Sequence, residues 1–434
     1  MKYYSTNGSV TSVSLQEAVV KGLAADKGLF VPETIQSFSS DFFDRIEHMS
    51  LQDISFEVAS AFFGKDIDSE ILREIVYDTM NFDIPLVQVS DRIYSLELYH
   101  GPTLAFKDVG ARFMARLLGY FIKQQGQKDV TVLVATSGDT GSAVANGFLG
   151  VEGIRVFVLY PKGKVSDIQE KQFTTLGENI TSLEIDGTFD DCQRLVKQAF
   201  MDEELNSKLN LTSANSINVA RFLPQSFYYF YAYAQLKKRD ISDSIVCSVP
   251  SGNFGNITAG LYGKRMGLPI TRFIAANNAN DIFFNYLQTG TYSPKPSIQT
   301  IANAMDVGDP SNFARVLELY DGDWNGVKGD ISGVTYNDPQ IADTLLDVYS
   351  TFNYLLDPHG AVGYRALCEG LRDNEVGFFL ETAHPAKFKD VVENIIKEPI
   401  VIPEKLQEFI KRNKQSTTLS SAFDDLKTYM LNEQ

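Results

Sequence analysis

Cysteine and histidine are both scarce in this sequence, which limits the chemistry that the chain can carry. The three cysteines are odd in number, widely spaced and without a CxxC pair, so we expect neither a disulfide framework nor a zinc site. The four histidines lack the spacing of metal ligands, and we expect no catalytic metal. One segment opens like a calcium-binding loop at Asp321, but Ser332 stands at its twelfth position, where a bidentate glutamate is required.

Basic segments and long apolar segments are also missing. The chain has 39 Lys and Arg against 55 Asp and Glu, a net charge of −16, and no Lys/Arg-rich run, which argues against nucleic acid or an anionic membrane as a partner. The longest apolar run, residues 222–236, contains Pro224 and Gln225 and falls short of the roughly 20 residues of a membrane span. The start, MKYYSTNG, lacks a basic region followed by an apolar stretch, so we expect no secretory signal and a cytoplasmic protein.

The order of patterns along the 434 residues predicts several domains. Helical periodicity dominates up to about residue 90, and apolar β-branched runs then alternate with helices, which indicates βαβ units and a mainly parallel sheet. We predict a mainly helical N-terminal domain (1–90), a large α/β domain (91–129 and 236–398), a smaller mobile α/β domain (130–235) and a helical C-terminal tail (399–434).

One lysine stands in an unusual setting, within the stretch HGPTLAFKDVGAR at residues 100–112. Gly101 and Pro102 break the preceding strand pattern, and Thr103 is a candidate N-cap, so Lys107 is predicted near the start of a helix. Its apolar neighbours favour burial, which lowers the pKa of an amine and yields a nucleophile able to form a Schiff base with a carbonyl cofactor. The same pattern also fits a solvated surface lysine at a helix start.

Two strands run directly into glycine-rich turns and then into helices. VTVLVA (130–135) leads into TSGDTGSA, and SIVCSV (244–249) leads into PSGNFGN. Backbone N–H groups at a helix N-terminus favour an anion, although both turns could also be ordinary tight connections. Their G-x-x-G spacing is not the G-x-G-x-x-G dinucleotide fingerprint, so a nicotinamide cofactor is not indicated.

A third strand, GFFLET (377–382), ends at Thr382. The hydroxyl of Thr382 could bind a ligand or could simply bond its own backbone. Ligands of open α/β sheets gather at the carboxyl edge of the strands. We therefore expect both turns, Thr382 and Lys107 to converge there.

Six segments together resemble the threonine synthases, which are fold-type-II pyridoxal-phosphate enzymes. They occur in the family's order from Tyr3 to Phe388, and HGPTLAFKD is similar to the cofactor-lysine signature. The other five are YYSTNG…VSLQEAVVKGLAADKGLFVPE, TSGDTGSA, SANSINVARFLPQ, PSGNFGN and ETAHPAKF.

The resemblance implies both a fold and an activity. The implied fold is α/β and tryptophan synthase β-like, with two parallel or mixed-sheet domains plus the helical N-terminal domain. The implied activity is that of a lyase of threonine biosynthesis, which uses pyridoxal phosphate to convert O-phospho-L-homoserine and water to L-threonine and phosphate, in a monomer or homodimer. A serine or threonine dehydratase, which needs no second phosphate site, and a non-catalytic pyridoxal-phosphate-binding protein are the alternatives.

The resemblance also implies roles for individual residues. Lys107 is the implied Schiff-base lysine and proton carrier, PSGNFGN the cradle of the cofactor phosphate, and TSGDTG the loop for the substrate carboxylate. The implied cofactor-binding residues are Phe106, Lys107, Ser251, Gly252, Asn253, Phe254, Gly255, Asn256 and Thr382. The implied substrate-binding residues are Thr136, Ser137, Gly138, Asp139, Thr140, Lys164, Asn215, Ser216, Asn218, Arg221 and Gln225.

Overall fold

A computed structural model describes residues 1–125 and 129–433 of the chain. The N-terminal region is mainly helical, as predicted, but it also contains a small antiparallel sheet of order β2-β1-β3. Its elements are β1 (Lys2–Ser5), β2 (Val13–Ser14), α1 (Leu15–Lys21), β3 (Phe30–Pro32), α2 (Ser40–Arg45), α3 (Leu51–Phe63) and α4 (Ser69–Thr79).

The next segment begins one sheet and builds most of a second. It contributes β4 (Leu86–Ser90), β5 (Ile93–Glu97), α5 (Lys107–Gln125), β6 (Val130–Ala135), α6 (Asp139–Phe148), β7 (Ile154–Pro161), α7 (Asp167–Thr174), β8 (Ile180–Asp186), α8 (Phe189–Met201), α9 (Glu203–Leu209), β9 (Leu211–Ser213), α10 (Val219–Phe222) and α11 (Ser226–Lys237). Strand β6 lies where the run VTVLVA predicts it, and all six of its residues are buried, as a central parallel strand requires.

The remaining segment completes both sheets. It contributes β10 (Ile245–Pro250), α12 (Gly255–Arg265), β11 (Arg272–Asn277), α13 (Ile282–Thr289), α14 (Phe313–Leu319), α15 (Trp324–Asp330), β12 (Ile331–Thr335), α16 (Asp338–Phe352), α17 (Pro358–Gly370), β13 (Val376–Glu381), α18 (Lys389–Ile396), α19 (Glu404–Ile410), β14 (Thr417–Ser420) and α20 (Phe423–Asn432).

Two sheets of different size form the centre of the molecule. The larger sheet has the order β12-β11-β10-β13-β5-β4 and is parallel except for its edge strand β4. The smaller sheet has the order β14-β8-β7-β6-β9 and is parallel throughout. The glycine turns after β6 and β10 therefore lie at the carboxyl edges of different sheets. In the described part of the chain, no helix is long and apolar enough to cross a membrane.

The C-terminal tail differs from the prediction of a purely helical segment. Helices α19 and α20 are present, but β14 lies between them and pairs in parallel with β8. The strand reads TTLS, which has no buried-strand pattern, and its residues alternate between partly buried and exposed. Leu426 and Met430 of α20 are fully buried against α8 and its neighbours, so the tail completes the smaller sheet.

Candidate active site

The turn that carries Lys107 is attached to the end of β13. The Phe106 N–H donates to the Thr382 carbonyl at 2.9 Å, and the His384 N–H donates to the Leu104 carbonyl at 3.0 Å. Leu104 has a left-handed backbone, with φ of 57°. A non-glycine residue adopts this conformation at a cost, and here the pairing on both sides of Leu104 maintains it. Lys107 is thereby fixed at the carboxyl edge of the larger sheet.

The helix start differs in detail from the predicted N-cap at Thr103. Helix α5 begins at Lys107, and the carboxylate of Asp108 accepts the Thr103 N–H at 2.8 Å and the Thr103 hydroxyl at 2.6 Å. Thr103 is thus a donor to the first turn instead of its cap. A Cβ on Gly101 would lie 2.5 Å from the Asp108 carboxylate, so glycine is required where this turn closes.

Lys107 is largely withdrawn from solvent and has one close anionic neighbour. Its side chain is 18% exposed, and its Nζ lies 3.8 Å from Asp139 Oδ2 and 4.7 Å from the centre of the Phe106 ring. Burial lowers the pKa of Lys107, and the Asp139 carboxylate opposes that effect. The environment therefore favours an amine that readily loses its proton.

The first glycine turn, residues 136–141, brings Asp139 to Lys107. The Thr136 hydroxyl accepts the N–H groups of Gly138 and Gly141 at 2.9 and 2.8 Å, so Thr136 shapes the turn from within. Ser137 and Thr140, which are partly exposed, flank these glycines. In the described part of the chain, the N–H groups of Ser137, Asp139 and Thr140 have no acceptor in the protein, which leaves them available to an anion.

The second glycine turn, residues 251–256, offers a larger set of free amides. Phe254 is left-handed, with φ of 63°, at the start of α12. Among the described residues, no protein acceptor is found for the N–H groups of five consecutive residues, Gly252, Asn253, Phe254, Gly255 and Asn256. Phe254, Gly255 and Asn256 are buried, and orphaned buried amides are costly unless a ligand accepts from them, so this turn fits a phosphate group.

The side chain of Asn256 also supports an anion site at the second turn. The Asn256 carboxamide oxygen accepts the hydroxyls of Tyr228 and Tyr229 at 2.6 and 2.7 Å, whereas its buried Nδ2 has no partner in the described chain. Ser251 is buried beneath the turn, and its hydroxyl donates to the Val249 carbonyl at 2.8 Å. The orphaned Asn256 nitrogen is a further donor that a bound anion would satisfy.

The segment between β9 and α10 connects the two turns. The Asn215 amide donates to the carbonyl of Ala135, at the end of β6, at 3.3 Å. The Ser216 hydroxyl accepts the side-chain amides of Asn253 and Asn312 at 2.9 and 3.0 Å. Asn215 and Ser216 thus link the two predicted anion sites, which lie on different sheets.

Two other predicted substrate residues, Asn218 and Gln225, are buried and bond backbone carbonyls. Asn218 is fully buried, and its amide bonds the carbonyls of Val19 and Ser213. Gln225 is also buried, and its amide donates to the Arg221 carbonyl at 3.0 Å. Both side chains support the segment around them.

The two predicted cations occupy different environments. Arg221 is 3% exposed, donates to the Ala214 carbonyl, and leaves its Nε without a partner in the described chain. Burial lowers the pKa of Arg221 to about 10. Lys164 is exposed in the loop between β7 and α7. The pair therefore combines a buried guanidinium with a surface ammonium.

Thr382 lies immediately beyond β13. It is 7% exposed, and its carbonyl is occupied by Phe106, one residue from Lys107. Thr382 is therefore close in space to the turn that carries the amine, although it lies far from that turn in the sequence.

Lys387 is a buried residue that the sequence analysis did not select. Its side chain is fully buried, and its Nζ lies 2.7 Å from Asp139 Oδ1 and 2.8 Å from the Thr103 carbonyl. The segment ETAHPAKF contains Lys387, but the sequence analysis selected only Thr382 from it as a candidate ligand-binding residue, because Thr382 stands at the end of a strand. The pairing with Asp139 joins the two sheets, and residues that far apart in the sequence give no local signal.

Comparisons with other proteins show which family shares these features. Family models described as "Pyridoxal-phosphate dependent enzyme", "Threonine synthase N terminus" and "Threonine synthase, C-terminal" match residues 84–380, 2–80 and 360–430. The threonine synthase of Buchnera aphidicola subsp. Acyrthosiphon pisum is 43% identical over 99% of this chain and 100% of its own. The crystal structure of threonine synthase from Escherichia coli is 45% identical and superposes with a TM-score of 0.94, covering 100% of both chains.

A second solved structure concerns the cofactor. The structure described as PLP-bound threonine synthase from Brucella melitensis is 35% identical, with a TM-score of 0.94, and covers 100% of this chain and 99% of its own.

Proposed function

Since this chain belongs to the threonine synthase family of pyridoxal-phosphate-dependent enzymes, we propose that the site around Lys107 converts O-phospho-L-homoserine and water to L-threonine and phosphate. The function of the chain is that of a threonine synthase, a lyase, and its cofactor is pyridoxal phosphate. The observation that carries the assignment of the site is the largely buried amine of Lys107 beside Asp139 of the first turn, together with the backbone amides of both turns that have no acceptor in the described chain.

The second turn is the proposed cradle of the cofactor phosphate. Within the described residues, its five consecutive amides without protein acceptors and the orphaned Asn256 nitrogen supply more donors than the first turn does. Anion binding by a nest of amides at a helix N-terminus needs no charged side chain. Thr382 is the proposed partner of the cofactor ring nitrogen, because a hydroxyl, unlike a carboxylate, does not force that nitrogen to be protonated.

When bound, pyridoxal phosphate withdraws electrons from the substrate and so makes protons at Cα and Cβ removable. Lys107 Nζ is the proposed group that holds the cofactor, then removes these protons and returns them. Its low exposure keeps competing water away, and the carboxylate of Asp139 lies 3.8 Å from Nζ.

The first turn and the segment that follows β9 are proposed to hold the substrate. The free amides of Ser137 and Thr140 suit the α-carboxylate, and the unpaired Nε of Arg221 is a donor for the γ-phosphate. Lys164 is proposed to attract the dianion at the rim of the cleft. Asn218 and Gln225 are proposed to orient this segment through their backbone contacts.

An assay with three substrates tests the proposed reaction against the dehydratase alternative. Purified protein supplied with pyridoxal phosphate is incubated separately with O-phospho-L-homoserine, L-serine and L-threonine. We expect threonine and phosphate in equal amounts from phosphohomoserine and little turnover of the other two. Faster formation of keto acid and ammonia from serine or threonine would instead support a dehydratase. Binding of the cofactor without turnover of any substrate would support a non-catalytic protein.

A further inference from the structure

Lys387 links the parts of the molecule that surround Lys107. It lies in a 3-10 turn, Pro385–Phe388, which follows β13 of the larger sheet. Its Nζ lies 2.7 Å from Oδ1 of Asp139. Asp139 is the first residue of α6, the helix that follows β6 of the smaller sheet. The same Nζ donates to the carbonyl of Thr103, in the turn before Lys107, at 2.8 Å. One buried ammonium thus joins three elements.

The main chain of Lys387 is fixed as well. Its N–H donates to the His384 carbonyl at 3.0 Å, and its carbonyl accepts the hydroxyl of Ser166, the N-cap of α7, at 3.2 Å. Lys387 also lines a cleft of about 850 Å³ between α7, the loop at residues 299–303 and the segment 387–391. Its main chain and its side chain are therefore both held by polar contacts.

The charged groups near Lys107 include both anions and cations, and they lie at different distances. Four charged groups on other elements act on its amine: Asp139, Lys387, Arg221 and Asp357. The Asp139 carboxylate is the nearest anion, but it lies 2.7 Å from Lys387 and 3.8 Å from Lys107. One carboxylate thus lies within 4 Å of two lysine amines, and the shorter contact belongs to Lys387.

We propose that Lys387 is a positioning residue that engages Asp139 as a permanent ion pair and so leaves Lys107 with too little counter-charge to remain an ammonium ion. This inference rests on the proposed role of Lys107 and deepens it. With Asp139 neutralised by Lys387, the amine of Lys107 is free to attack the cofactor and to accept a proton from the substrate. Without Lys387, the carboxylate would pair with Lys107 and hold its proton.

The titration of Lys107 tests the proposal directly. Full-length protein stripped of its cofactor is labelled with limiting acetic anhydride at a series of pH values, and the peptide that contains Lys107 is quantified by mass spectrometry. Lys387→Met should raise the pKa of Lys107 by about 1 unit or more, because an unpaired carboxylate then lies beside it. Lys387→Arg should restore the wild-type value. Lys171→Met is the matched control, since Lys171 lines the same cleft but contacts the carbonyls of Ile410 and Arg412.

A second pair of variants carries Asp139→Asn, so that removing Lys387 does not leave a buried carboxylate without its ion-pair partner. Asp139→Asn should lower the pKa of Lys107, and adding Lys387→Met to it should change that pKa much less than Lys387→Met does in the wild-type background, because no carboxylate remains to be released. The proposal would be overturned if Lys387→Met left the titration of Lys107 unchanged in the wild-type background. An equal rise of the pKa in both backgrounds would also overturn it, because Lys387 would then act by direct repulsion and not through Asp139. Circular dichroism confirms that each variant is folded. Because the labelling uses neither cofactor nor substrate, its outcome is separate from that of the three-substrate assay.

Discussion

At the scale of single residues, the site depends on groups that are buried with few partners. The location of Lys107 at the start of a helix and its low exposure could be predicted, because its motif is contiguous and its flanks are apolar. Asp139 could be placed near an anion-binding turn, but its pairing with two lysines could not be foreseen. Lys387 escaped prediction because its partner Asp139 lies on another sheet, and such a contact leaves no periodicity in the sequence.

Removing Arg221 should impair recognition of the phosphorylated substrate. Its Nε is buried and has no partner in the described chain, so we expect Arg221→Gln to lose a charge-assisted hydrogen bond to the γ-phosphate, worth roughly 1.5–3 kcal/mol or about ten- to a hundredfold in kcat/KM. Inhibition by inorganic phosphate should weaken in parallel. Lys164→Ala, at an exposed position, should have a smaller effect. Unchanged kcat/KM and unchanged phosphate inhibition in both variants would contradict the assigned phosphate site.

At the scale of elements, the recurring unit is a buried strand that ends in a polar turn and a helix. The apolar runs predicted β6 at its observed bounds and β10 to within one residue. Strands β9, β12 and β14 were not predicted, because they are short or carry Ser, Thr and Gly in place of a continuous apolar run. Such strands form only because a neighbouring strand supplies their hydrogen bonds.

Alanine substitutions at the two glycines of the second turn should weaken cofactor binding to different degrees. A Cβ on Gly252 would lie 2.7 Å from the Cα of Met305, which belongs to the backbone, whereas a Cβ on Gly255 would lie 3.2 Å from Ser216 Cβ. Gly252→Ala should therefore weaken pyridoxal-phosphate binding by about tenfold or more, and Gly255→Ala less. Equilibrium titration with the cofactor measures both, with Gly329→Ala as the control because its Cβ would meet nothing within 4 Å. Normal cofactor affinity with impaired substrate binding would reverse the roles of the two turns.

The 3-10 turn that carries Lys387 should be sensitive to acid. His384 caps it by accepting the Ala386 N–H at 3.0 Å, and burial lowers the pKa of His384 from 6.5 to about 4. The folded state therefore binds fewer protons than the unfolded state, and stability falls as the pH drops from 6.5 toward 4. Between pH 7 and 5 we expect His384 to account for a loss of roughly 1–2 kcal/mol in the free energy of unfolding.

Urea denaturation at the two pH values measures this loss. His384→Asn is the informative variant, because asparagine can still cap the turn but does not titrate. An equal loss of stability in wild type and variant would show that His384 does not contribute to the pH dependence.

At the scale of the whole molecule, each of the two sheets has a strand that ends in a glycine turn, Lys107 lies beside Asp139 of the first turn, and the C-terminal tail completes the smaller sheet. The predicted fold class agrees with the structure and with the related threonine synthase structures. The mobility of the region 130–235 stays a prediction. The position of the tail could not be predicted, because its contacts with β8 and α8 connect residues more than 200 positions apart.

The tail should contribute to stability as part of the core. Leu426 is fully buried, so Leu426→Ala should lower the free energy of unfolding by about 2–5 kcal/mol. Val401 is 85% exposed, and Val401→Ala should change it little. Urea denaturation compares the two variants with the wild type. A loss in Leu426→Ala no larger than that in Val401→Ala would mean that the tail is not packed as described.

The central claim is that Lys107 is the residue that holds the cofactor, and borohydride reduction tests it most directly. The wild-type protein loaded with pyridoxal phosphate is reduced, digested and analysed by mass spectrometry, with Lys107→Ala treated in parallel. We predict that the reduced cofactor is attached to the peptide that contains Lys107, and that the variant carries none. Attachment to a different lysine, above all the neighbouring Lys387, would contradict the account.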